Sequence, residues 1–152
     1  MLVLLASFNC SLVISTIAPL SDLPRPSGLY HVGTRIFEWE DRLRDEWFTV
    51  EKNDYRRIVV QIWYPTEENN LDYLTYLDFP EKRIRPISKS IDVPKWLIKH
   101  IQDISTNSVL DASIISDNIS RPLIIFSHGL GGMRMQNTIQ MEELASHGYI
   151  VL

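Results

Sequence analysis

The chain has 152 residues and a net charge of −4, from 15 Lys and Arg against 19 Asp and Glu. This length suits one domain, and 45% hydrophobic with 22% charged residues argues against wholesale disorder. The Lys and Arg residues are scattered along the chain and are slightly outnumbered by Asp and Glu. The chain therefore lacks the sequence-independent attraction to phosphate backbones, and we expect no nucleic-acid partner. One cysteine and four widely spaced histidines show no metal-ligand spacing, so we expect neither a disulfide nor a metal site.

Residues 1–22 are predicted to form an apolar leader or arm ahead of a domain at residues 23–152. No charge occurs from Met1 to Ser21, but polar residues interrupt the apolar run and no Lys or Arg precedes it. The pattern is too broken for a membrane span and suits either a weak or truncated export signal or a disordered or packed N-terminal arm. It leans towards secretion or export and leaves a cytoplasmic location open. Cys10 is interpreted as an inert residue of this leader.

The first part of the domain is predicted to contain extended segments. Residues 32–37 have the pattern of a first strand. The charged residues 41–45 are interpreted as a turn or solvated link to a second extended piece at residues 47–50. Residues 57–64 are rich in β-branched and aromatic side chains, and they predict a strand that stops at Pro65, which has no N–H to donate.

The polar residues 66–120 are interpreted as an irregular insertion in the domain. Within them, Pro94 suits the start of a helix, and apolar residues as far as Ile104 recur at helical spacing. One interpretation is a short amphipathic helix packed on the domain. The other is a lipid interface, because a tryptophan flanked by lysines suits the headgroup boundary. The candidate interface residues are Trp96, Leu97 and Ile98.

The C-terminal residues have the strongest pattern. Residues 123–126 are four consecutive apolar residues, as expected of a strand covered on both faces in a parallel sheet. A glycine-rich loop follows, and residues 137–146 then show a helical pattern that His147 and Gly148 end. A further apolar strand begins at Tyr149. This strand–loop–helix–strand order predicts an α/β fold with a parallel sheet.

The glycine-rich loop consists of His128, Gly129, Leu130, Gly131 and Gly132. Its glycines let the backbone approach a ligand closely, and its N–H groups ahead of a helix suit an anion. The dinucleotide and nucleotide fingerprints are absent, so no cofactor is expected. Two interpretations stay open. The loop binds the oxyanion of ester hydrolysis, as the His-Gly-rich loop after the third strand of α/β-hydrolases does, or it only connects strand and helix.

Four blocks of sequence, at residues 23–34, 57–65, 122–134 and 143–149, resemble the plasma-type platelet-activating factor acetylhydrolases. These are calcium-independent serine esterases of the lipoprotein-associated phospholipase A2 kind. The resemblance implies the N-terminal part of an α/β-hydrolase fold, and removal of short or oxidised sn-2 acyl chains from phospholipids by a Ser-Asp-His triad. It also implies that Leu130 donates its backbone N–H to the oxyanion hole, and that the partner is phospholipid at a membrane or lipoprotein surface.

The sequence contains no G-x-S-x-G, the nucleophile-elbow motif of this fold. We therefore expect the catalytic Ser, Asp and His to lie beyond Leu152, and the chain alone to be inactive. Ser127 and His128 are adjacent rather than held across a cleft, which excludes them as nucleophile and base. His147 is interpreted as a structural residue at a helix end. Two alternatives stay open: a dienelactone-hydrolase-like or polyester-type esterase, and a non-catalytic lipid- or partner-binding remnant.

Overall fold

The computed structural model describes residues 22–69 and 72–152. These residues form two compact units. The smaller unit contains residues 22–25 and Leu74–Thr106, and the larger unit contains Pro26–Tyr73 and Asn107–Leu152, apart from residues 70 and 71. The predicted leader lies outside the described residues except for Asp22. Among the described residues, no helix has the length and apolar character needed to cross a bilayer.

The chain forms six strands, three α-helices and one 3-10 turn within the described residues. In chain order these are β1 His31–Asp45, β2 Tyr55–Thr66, β3 Tyr73–Thr75, α1 Pro80–Ser90, α2 Lys95–Ile98, the 3-10 turn Lys99–Asp103, β4 Ser105–Leu110, β5 Leu123–Ile124, α3 Thr138–Ser146 and β6 Ile150–Val151. The strand order in the sheet is β3-β4-β1-β2-β6-β5. Strand β2 runs antiparallel to β1 and β6, whereas the pairs β1–β4 and β5–β6 are parallel. The sheet is therefore mixed, and the prediction of a parallel sheet is confirmed only for part of it.

Strand β1 is longer than the sequence predicts, and the turn expected at residues 41–45 is wrong. The acidic residues there continue the strand, with Glu40 opposite Arg57 and Asp41 opposite Arg56 on β2. Because this end of the two-stranded ribbon is exposed to solvent, its strands tolerate charged side chains, and opposite charges across the ribbon favour the pairing. The connection falls at residues 46–54 instead, so the extended piece expected at residues 47–50 is also wrong.

Strand β2 confirms the strand expected at residues 57–64 but does not stop at Pro65. The register pairs Pro65 with Val32 of β1, and the pairing of β2 with β6 falls two residues earlier, at Trp63. Proline lacks a donor but keeps its acceptor, and the Pro65 carbonyl accepts the N–H of Ile115 at 3.1 Å. A proline this close to the end of a strand is therefore compatible with the sheet.

The hydrophobic core of the larger unit lies between the sheet and α3. It consists of Val32, Trp63, Met141, Ala145 and Val151, with Ile124 and Leu144 packed against it. The predicted helix is confirmed: Asn137 is the N-cap of α3, His147 is its C-cap, and Gly148 follows with φ +97°. Helix α3, which follows the glycine loop in the chain, therefore covers the face of the sheet that carries this core.

Residues 66–120 contain α1, α2 and β4, so the expected irregular conformation is wrong for much of this segment. Helix α1 was missed because its sequence is charged and contains Pro86, which removes one helical hydrogen bond. Strand β4 was missed because it is polar, and its buried Thr106 hydroxyl donates to the Leu74 carbonyl at 2.7 Å. Buried polar groups with hydrogen-bond partners give no apolar alternation for a sequence pattern to detect.

The helix expected from Pro94 to Ile104 is present in a shorter and broken form. Helix α2 begins at Lys95 with Pro94 as its N-cap, and after Ile98 the chain tightens into the 3-10 turn. Ile104 is already extended at the end of that turn. Of the apolar positions in the predicted pattern, Ile104 is buried and Ile101 is partly buried, whereas Leu97 is exposed. The pattern therefore packs inside the smaller unit only in part, and the neighbouring Ile98 supplies the other buried side chain.

Candidate active site

The regular part of β5 is short, but its hydrogen bonding to β6 continues to the start of the glycine loop. The N–H of Phe126 donates to the Leu152 carbonyl at 2.7 Å, and the N–H of Leu152 donates to the Ile124 carbonyl at 2.8 Å. Within the described residues, the cover expected on both faces of this strand is present on one face, where Ile124 packs against the core. Strand β5 is the outer strand of the described sheet, and Ile125 is 73% exposed.

The loop after β5 forms a tight turn centred on Leu130 and Gly131. The N–H of Gly132 donates to the Gly129 carbonyl at 2.9 Å, and Gly131 has φ +80°. These are the features of a type II turn, whose third position needs a positive φ and therefore favours glycine. The hydrogen bond of such a turn uses neither central N–H group.

The amide of Leu130 therefore remains available as a donor. Within residues 22–69 and 72–152, no acceptor for this N–H is recorded, and the Leu130 side chain is fully exposed. A Cβ placed on Gly129 or Gly131 would meet nothing within 4 Å. The turn thus faces open space on its outer side, where a ligand oxygen can approach the free amide.

The side chain of His128 is held by the loop itself. Its Nδ1 lies 3.0 Å from the Gly129 carbonyl oxygen. Because a carbonyl oxygen only accepts, Nδ1 carries the proton in this contact and the neutral ring has Nε2 unprotonated. This contact ties the imidazole to the backbone of the turn.

A chain of hydrogen bonds anchors the far side of the loop to the sheet. The Arg134 guanidinium donates to Gln61 Oε1 on β2, and Gln61 Nε2 donates to Thr34 Oγ1 on β1 at 2.9 Å. The Thr34 hydroxyl donates in turn to the Ile62 carbonyl at 2.9 Å. Gln61 and Thr34 are buried, so the anchor is shielded from water. It fixes the residues after the turn and thereby the direction of the turn amides.

The predicted lipid-interface residues divide into two groups. In the smaller unit, Trp96 is 62% exposed and Leu97 is 37% exposed, whereas Ile98 is only 7% exposed. Ile98 is therefore a core residue, and its assignment to the interface is wrong. The physical reason is the helical period, which turns Ile98 towards the interior while Trp96 and Leu97 face solvent.

A serine and a glutamate that the sequence pattern does not single out meet His147 at the C-terminal end of α3. The Ser27 hydroxyl donates to Glu143 Oε1 at 2.5 Å, and His147 Nε2 lies 3.0 Å from the same oxygen and 3.3 Å from the hydroxyl. The Ser27 N–H also donates to Glu143 Oε2 at 2.8 Å. These contacts lower the pKa of Glu143, first through the Ser27 hydroxyl and N–H and then through His147.

This cluster has the residue types of a catalytic triad, but its hydrogen bonds do not connect them in the order that a triad requires. In a triad the imidazole takes the proton of the hydroxyl and the acid binds the other ring nitrogen. Here the Ser27 hydroxyl donates to Oε1 of the Glu143 carboxylate instead of to the imidazole. The same carboxylate oxygen contacts Nε2 of His147, which is also the ring nitrogen that lies nearest the hydroxyl. The cluster fastens Ser27 to α3, and the next residue continues this contact because the Gly28 N–H donates to Ser146 Oγ at 3.1 Å.

Within the described part of the chain, no group of three or more His, Cys, Asp or Glu side chains is arranged to hold a metal ion. Cys10 lies outside that part. The glycine turn of the larger unit presents a backbone N–H to open space, a geometry that suits donation to a negative oxygen.

A mixed sheet with an antiparallel β2, followed by a strand, a glycine turn and a helix, defines an α/β-hydrolase-type protein. The structure of a ferulic acid esterase from Streptomyces cinnamoneus is similar, with a TM-score of 0.66 and 25% identity. The match covers 86% of this chain and 35% of that esterase. The expected fold class is confirmed.

The sequence match is more specific. The family model described as "Platelet-activating factor acetylhydrolase, isoform II" matches residues 16–152, and the chain belongs to this family. The platelet-activating factor acetylhydrolases of dog (Canis lupus familiaris) and cattle (Bos taurus) are 29% and 28% identical over 138 residues. Both matches cover 86% of this chain and 27% of the relative, so the chain spans about a quarter of the length of these relatives.

Proposed function

We propose that this chain is the N-terminal part of a serine esterase that removes short or oxidised sn-2 acyl groups from phospholipids. The observation that carries the proposal is the open turn at Leu130, whose N–H is free to donate. The membership of the platelet-activating factor acetylhydrolase family supports the substrate class. It favours this substrate over the lactones or polyesters of the alternative esterases.

The turn contributes to the reaction by stabilising charge. When a serine hydroxyl attacks the ester carbonyl, the carbonyl oxygen becomes negative in the tetrahedral intermediate. The Leu130 N–H donates to that oxygen, and the residue after the nucleophile supplies the second donor. Because the sequence has no G-x-S-x-G, the nucleophile with its Asp and His comes from outside these 152 residues.

The experiment compares this chain with a protein extended by the residues encoded after Leu152. We expect the extended protein to hydrolyse a phospholipid with an sn-2 acetyl group faster than a lactone, and an organophosphorus probe to label one serine. We expect the present chain to do neither. Turnover of a short-chain nitrophenyl ester by the present chain alone, at an enzyme-like rate, would refute the proposal.

We further propose that Trp96 and Leu97 form the part of the protein that contacts the phospholipid surface. Their exposure supports this proposal. A tryptophan and a leucine on the surface of a short helix leave apolar area in contact with water, and insertion into a lipid headgroup boundary would cover that area. Replacing them together, as Trp96→Ala with Leu97→Asp, is expected to reduce vesicle binding. Ile98→Ala is not a matched control because Ile98 is buried.

A further inference from the structure

Gln61 is a polar side chain at a position of β2 that faces the core. Because successive side chains of a strand point to opposite faces of the sheet, Gln61 lies on the same face as the core residue Trp63. The register places Thr34 of β1 opposite Trp63, so Thr34 is a diagonal neighbour of Gln61 on that face. Both polar side chains are buried. A buried amide needs hydrogen-bond partners, and here those partners indicate its role.

The hydrogen bonds of this pair fix the orientation of the Gln61 amide. The Thr34 hydroxyl donates its proton to the Ile62 carbonyl at 2.9 Å, so towards Gln61 its oxygen can only accept. Gln61 Nε2 accordingly donates to Thr34 Oγ1 at 2.9 Å. Gln61 Oε1 then accepts from the guanidinium of Arg134, a group that only donates. A reversed amide would oppose donor to donor at Arg134, so one orientation alone satisfies both neighbours.

Arg134 connects this amide to the glycine turn. It comes two residues after Gly132, whose N–H closes the turn. The Met133 N–H donates to Gln136 Oε1 at 3.2 Å, and the Gln136 N–H donates to the Met133 carbonyl at 3.1 Å. These two bonds order the segment between the turn and α3 but remain within it. The bond from Arg134 to Gln61, in contrast, ties the segment to the sheet.

We propose that Gln61 is a positioning residue for the reaction: through Arg134 it holds the Leu130 N–H in the direction from which that N–H donates to the oxyanion. The inference rests on the proposed function, in which Leu130 supplies one of the two donors. Fixed donors are effective because they do not reorient as charge develops, and a displacement of about 1 Å can cost about a hundredfold in rate. Loss of the Gln61 amide should therefore slow the reaction without weakening substrate binding.

The experiment uses the protein extended beyond Leu152 and a water-soluble nitrophenyl ester. Thr34→Val removes the hydroxyl that orients Gln61, and Gln61→Leu removes the amide itself. Thr66→Val is the matched control, because the Thr66 hydroxyl on β2 is also buried, donates to a carbonyl at 2.7 Å and accepts one N–H at 3.1 Å. Thr34→Ser keeps the hydroxyl and should restore the wild-type behaviour. Thermal unfolding shows which variants fold, and Thr34→Val decides the outcome if Gln61→Leu does not.

We expect Thr34→Val and Gln61→Leu to lower kcat by about tenfold, with KM within about threefold of the wild type. This loss is smaller than the roughly hundredfold to thousandfold that follows removal of an oxyanion donor, because the N–H is displaced rather than deleted. Thr34→Ser and Thr66→Val should keep kcat within about threefold of the wild type. A Thr34→Val enzyme with the kcat of Thr66→Val would overturn the proposal, as would a loss confined to KM.

Leu130→Pro shows whether the effect passes through the Leu130 amide. In an enzyme that carries Leu130→Pro this N–H is already absent, so adding Thr34→Val should lower kcat by less than about twofold more. An equal loss in the presence and absence of Leu130→Pro would mean that Thr34 and Gln61 act on another part of the protein. That result would also overturn the proposal.

Backbone hydrogen exchange separates a failure of this inference from a failure of the proposed function. Measured by mass spectrometry on the extended protein without substrate, Thr34→Val should raise exchange in the peptide containing Gly132 by about threefold or more relative to Thr66→Val. Raised exchange in a protein that hydrolyses no ester would refute the esterase proposal and leave Gln61 as the residue that holds the turn. Hydrolysis that falls with Leu130→Pro but not with Thr34→Val, together with unchanged exchange, would refute the positioning role alone.

Discussion

The carboxylate of Glu142 should be essential for the stability of the larger unit. Its side chain is on α3, is 0% exposed, and accepts hydrogen bonds from two residues in the middle of β4. The Asn107 N–H donates at 2.7 Å, Asn107 Nδ2 at 3.1 Å and the Ser108 hydroxyl at 2.6 Å. These bonds connect the helix after the glycine turn to the strand beside β1, so Glu142 positions α3 on the sheet.

Replacing Glu142 by Ala removes the acceptor of these hydrogen bonds and leaves a cavity. Each buried donor that loses its acceptor costs about 1 to 3 kcal/mol, so the loss from the whole network should be about 3 kcal/mol or more. That loss is a large fraction of the roughly 5 to 15 kcal/mol that stabilises a domain. Glu142→Gln keeps the volume but turns an amide group towards a donor, so we expect an intermediate loss.

Urea unfolding followed by tryptophan fluorescence measures this effect. Trp63 is buried in the core whereas the other three tryptophans are exposed, so the signal reports mainly on the larger unit. Glu142→Ala should lower the midpoint by about 1 M urea or more at an unchanged slope. Gln140→Ala, an exposed position on the same helix, is the control and should change stability by less than about 0.5 kcal/mol. A Glu142→Ala midpoint equal to that of the control would refute the assignment.

Three further changes test other contacts. Because the Ser27 contacts lower the pKa of Glu143 below its ordinary 4.5, their contribution to stability is complete above that value and is lost as the pH falls through the folded-state pKa. Glu143→Gln should therefore remove this part of the acid dependence, and urea midpoints with an unchanged pH profile would exclude the coupling. Gly28→Ala places a Cβ 2.2 Å from a backbone carbonyl oxygen of α3 and should destabilise by about 1 to 3 kcal/mol, whereas Gly129→Ala, with nothing within 4 Å, should not; equal thermal midpoints would contradict this. Ile125→Lys puts a charge at an exposed edge-strand position and should reduce aggregation in light scattering, a result that unchanged scattering would disprove.

The sequence predicts the C-terminal strand, turn and helix well because their signals are local. The helix predicted at residues 137–146 differs from α3 by one residue, and the glycine expected to end it takes a positive φ. The turn was recognised by its glycines, whose conformational freedom is a property of single residues. The same is true of β2, since a run of β-branched and aromatic residues favours a strand irrespective of its neighbours.

The elements that were missed depend on partners distant in sequence. Arg134 and Gln61 are 73 residues apart, and Asn107 and Glu142 are 35 residues apart, so no local pattern announces either contact. The charged end of β1 is extended because β2 lies beside it, although its own residues suggest a turn. The elements that differ from expectation therefore depend on contacts with distant partners, such as the pairing of the charged end of β1 with β2 and the buried hydroxyl of β4.

Leu130→Pro, made in a protein that carries this chain together with its nucleophile, tests directly whether the Leu130 amide stabilises the oxyanion. Proline suits the second position of a type II turn, so the substitution keeps the turn and removes only the N–H. We predict that Leu130→Pro lowers kcat by about a hundredfold to a thousandfold with little change in KM, whereas Leu130→Ala stays within about threefold of the wild type. A Leu130→Pro enzyme with the kcat of Leu130→Ala would contradict the claim.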